Sequence, residues 1–100
     1  MPVQHIAFLR FKAGTSEAAI ADIFQKLQRL TRVIPGITNF SYGTNHSPEG
    51  LAQSFTHGLN MTFTDAAARD RYVTHPEHEK LKTAFLPDLE GVVAFDFEGD

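Results

Sequence analysis

An α+β fold, with four antiparallel strands in one sheet and helices on one of its faces, is predicted by three observations. The apolar period switches in the order strand, helix, strand, strand, helix, short helix, strand. One hundred residues suit a single hydrophobic core. No linker or internal repeat divides them, so residues 1–100 read as one domain.

Residues 2–11 alternate without a breaker and read as a strand. Val3, His5, Ala7, Leu9 and Phe11 take one face, and Ile6 and Phe8 the other. Gly14 then turns the chain, and Ser16 followed by Glu17 suits a helix start, where a hydroxyl and an acid meet unpaired amides. Ile20, Ile23, Phe24, Leu27, Leu30 and Ile34 repeat every three or four residues, which predicts an amphipathic helix ending at Pro35-Gly36. Residues 37–43 form a second strand with Phe40 and Tyr42 on one parity, and residues 44–53 are a polar loop. Residues 55–63 give the clearest alternation, with Phe55, His57, Leu59, Met61 and Phe63 on one face. Thr64 is the expected cap of a helix running to about Thr74, and Pro76 opens a further short helix with Leu81 and Phe85 inward. Residues 92–97 form the last strand.

This order is the ferredoxin-like split pattern, in which two helices cover only one side of the sheet. Ile6, Phe8, Phe40, Tyr42, Val93, Phe95 and Phe97 carry the parity opposite to the helix-facing set and would form a second apolar face. A face of that size predicts a homodimer built sheet to sheet, a dimeric α/β barrel.

Composition narrows the function classes. Nine Lys plus Arg against twelve Asp plus Glu give a net charge of −3, without the basic run a nucleic-acid partner requires. No apolar run is long enough for a membrane span, and the first residues lack the basic start of a signal peptide. Cysteine is absent, which removes thiol nucleophiles and Cys-ligated zinc and agrees with a cytoplasmic location.

Five histidines are the unusual entry in this composition. His5 and His57 lie mid-strand on the helix-facing parity, where burying an imidazole costs free energy unless both ring nitrogens find partners. They are expected to face one another. Tyr72 closes the second helix and Pro76 bends the chain before His78, so a phenol and an imidazole can be aimed at the same volume. Such a set suits general acid/base catalysis on a small-molecule ligand. It offers no covalent nucleophile, no phosphate loop and no zinc spacing, so neither a metal nor a cofactor is expected. His75 is read as a buttress of the bend and His46 as a surface residue. The competing reading is a non-catalytic homodimeric stress-response or ligand-binding protein.

The opening Val3-Gln4-His5-Ile6-Ala7-Phe8-Leu9-Arg10-Phe11-Lys12, the helix end Ile34-Pro35-Gly36-Ile37, the strand Thr56-His57-Gly58-Leu59-Asn60-Met61-Thr62-Phe63, the segment Tyr72-Val73-Thr74-His75-Pro76-Glu77-His78 and the closing Phe95-Asp96-Phe97 together resemble the stress-responsive dimeric A/B barrel (Dabb) family. The resemblance implies a homodimer whose sheets close a shared barrel with helices outside. It also implies chemistry like that of the family's cofactor-independent plant polyketide cyclase. By that analogy His78 is a base for an aldol or isomerase step on a keto or phenolic substrate, Tyr72 orients the carbonyl, and His5 and His57 line the pocket. The expected substrate walls are Phe24 and Leu81 from helices and Ala7, Leu59, Val92 and Ala94 from strands, with Ala84. Ala7, Ala84 and Ala94 replace larger groups of the cyclase, which implies a cavity of another shape and another substrate.

Overall fold

The computed structural model describes all residues, Met1–Asp100. Four strands, β1 (Val3–Phe11), β2 (Ile37–Thr44), β3 (His57–Phe63) and β4 (Leu89–Glu98), form one antiparallel sheet in the order β2-β3-β1-β4. Three helices, α1 (Glu17–Val33), α2 (Ala66–Val73) and α3 (Pro76–Phe85), lie on one face, and a short 3₁₀ turn (Leu86–Asp88) leads into β4. This is the expected ferredoxin-like α+β arrangement.

Local chemistry sets the helix ends. The Ala19 amide donates to the Ser16 hydroxyl at 3.1 Å, satisfying one orphan amide at the start of α1. At its far end Gly36 takes φ +93°, a conformation costly for any residue with a Cβ, and a Cβ there would lie 2.6 Å from that of Ala68. The second helix is capped by Asp65 rather than Thr64: the Ala68 amide donates to the Asp65 carboxylate at 2.8 Å. A carboxylate also stabilises the positive end of the helix, an advantage the hydroxyl one residue earlier lacks. His75 caps α3 by accepting from the Glu77 amide at 3.1 Å, with Pro76 in the first turn.

The core sits between α1 and the sheet. Ile20, Ile23, Phe24, Leu27 and Leu30 of α1 meet Val3, Leu9, Leu59, Met61 and Phe63, and no charged residue is buried among them. Burying a ring such as Phe63 contributes about 1.5–3 kcal/mol. The helices pack over β1, β2 and β3 and leave the same side of β4 largely open, so Val92 is 51% exposed although it faces the helix layer.

Phe40, Tyr42 and Phe55 take the face opposite to the one expected. Phe40 and Tyr42 stand opposite Met61 and Leu59, on the helix side, and Tyr42 stacks on Phe24 at 4.6 Å. A register shift between Ile37 and Asn39 inserts one residue and flips the parity of the strand beyond it. Phe55 lies outside β3 and reaches the outer face, 6.4 Å from Phe8 and beneath the Arg10 guanidinium at 5.0 Å. Positive φ at Gln53 and Ser54 breaks the strand pattern just before it. The apolar part of the outer face is therefore narrower than expected. Its strand residues are Ile6, Phe8, Val93, Phe95 and Phe97 on β1 and β4, joined by Phe55, with Asn39, Ser41, Asn60 and Thr62 covering the β2–β3 half.

Candidate active site

His5 enters the helix layer from the central strand β1. Across the register it faces Met61 on β3 and Asp96 on β4. Its Nδ1 lies 2.6 Å from Asp96 Oδ1, and the other carboxylate oxygen accepts from Arg69 Nη1 of α2 at 2.8 Å. Partial burial works against ionisation of Asp96, but the hydrogen bonds from Arg69 and His5 outweigh it and hold the carboxyl below its usual range. Arg69 is correspondingly raised, first by Asp96 and then by Asp70, whose carboxylate accepts from Arg69 Nε at 2.8 Å.

Tyr72 is 2% exposed and packs edge-on against His5 and at a tilt against Phe63, with ring centroids 6.1 and 5.2 Å away. Burial pushes the phenol well above its ordinary range, so it stays protonated and able to donate at neutral pH. It makes no side-chain hydrogen bond within the chain. The His78 ring lies 4.2 Å from Tyr72. Its Nδ1 is 3.2 Å from the Val73 carbonyl, which can only accept, so Nδ1 carries the proton and Nε2 keeps a lone pair. Burial lowers His78 below the ordinary imidazole value, partly opposed by the Val73 bond, and keeps that lone pair free near neutrality.

The structure therefore brings His5, Tyr72 and His78 together. His57 lies elsewhere: it pairs with Leu9, four residues along β1 from His5 and about 13 Å away along the strand. The expectation that His5 and His57 face one another does not hold, because the antiparallel register sets Met61, not His57, opposite His5. His57 instead bonds Thr56 Oγ1 at 2.8 Å and packs against Phe11 and Phe24. Among the expected wall residues Ala7, Leu59, Phe24 and Leu81 are buried, whereas Ala84, Val92 and Ala94 are exposed. A pocket of about 740 Å³ lies under the loop after β2, with Phe8, Leu51, Phe55, Val93 and His57 in its walls; His5, Tyr72 and His78 do not line it.

Asp96 and Arg69 are the site residues that sequence reasoning missed. The signal was the helix-facing parity of Asp96 between Phe95 and Phe97, but its pairing with His5 spans 91 residues and needs the strand order. No group of three His, Cys, Asp or Glu side chains is arranged to hold a metal ion.

The chain is thus a small ferredoxin-like α+β protein that sets a buried phenol against one imidazole, beside a second imidazole bound to a carboxylate. Residues 3–99 match the Stress responsive A/B Barrel Domain, and the chain belongs to this family. It is 32% identical to the stress-response A/B barrel domain-containing protein HS1 of Arabidopsis thaliana over 97% of this chain and 89% of that protein. It is 25% identical to olivetolic acid cyclase of Cannabis sativa over 97% and 96% of the two chains. Among solved structures, the hydroxynitrile lyase of Passiflora edulis superimposes with a TM-score of 0.91 at 27% identity, covering 99% of this chain and 94% of that one. A dimeric ferredoxin-like protein from Jannaschia sp. CCS1 gives 0.89 at 26% identity, over 99% and 100%. No helix is long and apolar enough to cross a membrane.

Proposed function

We propose that this chain is a homodimeric, cofactor-independent acid/base enzyme acting on a small keto or phenolic substrate, in the manner of a polyketide cyclase or isomerase. The observation that carries the reading is the Tyr72–His78 pair, ring centroids 4.2 Å apart, with His78 Nδ1 turned to the Val73 carbonyl and burial favouring the neutral imidazole. His78 Nε2 takes a proton from a methylene activated by flanking carbonyls, and the Tyr72 hydroxyl donates to the carbonyl oxygen as charge develops there. Relatives named as a cyclase and as a hydroxynitrile lyase support chemistry on this scaffold. Dimeric neighbours, together with the exposed Phe8, Val93, Phe95 and Phe97, support pairing through the outer sheet face.

A second reading, a homodimer that binds a small ligand without transforming it, draws on the 740 Å³ cavity away from Tyr72 and His78. Product analysis by mass spectrometry on a panel of poly-β-keto thioesters and phenols separates the two. Conversion that is lost in His78→Ala and Tyr72→Phe, with both variants folded, supports the enzyme. Binding with unaltered substrate after long incubation refutes it.

A further inference from the structure

We infer that Arg69 and Asp96 are a positioning pair that fixes His5 as a second proton acceptor of the site, alongside His78. The inference rests on the acid/base reading above and adds a group to it. Each Asp96 oxygen has its own partner, His5 Nδ1 at 2.6 Å and Arg69 Nη1 at 2.8 Å, so the carboxylate is held from both ends. An ionised carboxylate only accepts, and His5 Nδ1 therefore carries the proton while Nε2 presents a lone pair.

The other groups facing His5 are Tyr72 of α2, His78 of α3 and Phe63 of β3. The His5 and Asp96 side chains are only 17% and 23% exposed, so water screens their interaction weakly. When Nε2 takes a proton from a substrate C–H or O–H, the electron pair stays on the substrate as an enolate or phenolate. The imidazolium that forms is stabilised by Asp96, and the same proton returns to the product, so nothing is consumed. Arg69 keeps Asp96 from taking the proton itself. This divides the work between two imidazoles: His78 is oriented by a neutral carbonyl and His5 by an anion.

The test is ring-¹⁵N NMR above the histidine titration range, joined to turnover on a poly-β-keto thioester. Wild-type His5 is expected as the Nδ1–H tautomer. Asp96→Ala moves it to the Nε2–H form that free imidazole prefers, while Asp96→Asn retains Nδ1–H because the amide oxygen still accepts. kcat in Asp96→Ala falls about 100-fold with KM little changed, and adding Asp96→Ala to His5→Ala causes no further loss. Arg69→Met leaves the carboxylate in place and lowers kcat about tenfold, which keeps the inference testable if Asp96→Ala fails to fold. His5 keeping Nδ1–H in Asp96→Ala overturns it. So does a tautomer change with no fall in kcat, or losses that multiply in the double variant. Unchanged turnover in His78→Ala overturns only the role of His78.

Discussion

Phe95→Asp tests which face of the sheet pairs. Phe95 projects from β4 on the side away from the helices and is 61% exposed. With about 200 Å² for a phenylalanine side chain, some 120 Å² of ring is available for burial. At about 25 cal/mol per Å² that is about 3 kcal/mol per protomer. A two-fold interface counts every residue twice, so the variant forfeits about 6 kcal/mol, which corresponds to about 10⁴ in the dissociation constant. Burying an unpaired carboxylate adds to that loss. Sedimentation velocity across a dilution series should show the wild type as a dimer and Phe95→Asp as a monomer. Phe40→Asp is the contrast, because Phe40 packs against the core on the helix side. It should lower the melting temperature of each chain rather than act through a sheet-to-sheet contact. An undiminished dimer in Phe95→Asp would refute the assignment of the face.

The remaining predictions concern the site and the caps. Because burial depresses His78, kcat/KM should rise with pH through a midpoint below the ordinary imidazole value of about 6.5 and level off by neutrality; a midpoint above that value removes His78 as the base. Asp96 is depressed in the folded chain, so its stabilising contribution is present above the unfolded carboxyl pKa of about 3.9 and is lost as pH falls through the lower folded value. Urea titrations across this range should show Asp96→Asn with a flatter acid limb than wild type, and parallel limbs would contradict the linkage. Asp65→Ala removes the cap of α2 and should cost about 1 kcal/mol, or about 4–8 °C in Tm by calorimetry; an unchanged Tm would show that the bond carries no net stability.

Much of the architecture was legible because it rests on short-range periodicity. The α1 stripe, the Ser16 cap, the Pro76 start and the alternation of His57–Phe63 each depend on residues within a few positions of one another, so the order of elements and the helix-facing set follow from local spacing. The meeting of Tyr72 with His78 is of the same kind, since only one bend separates them. Where local spacing was broken, the reading failed: one inserted residue after Ile37 turned Phe40 and Tyr42 inward, and the positive-φ pair Gln53-Ser54 sent Phe55 to the other face.

By itself, then, the sequence determined an α+β chain with histidines and a tyrosine under its helices and an apolar strand face turned the other way. Tertiary structure alone decided which of those groups meet. Placing β1 between β3 and β4 sets His5 against Asp96, brings Arg69 of α2 onto the same carboxylate, and leaves His57 at the far end of the strand. Cross-strand register is a pairing between segments 91 residues apart, and no local period encodes it.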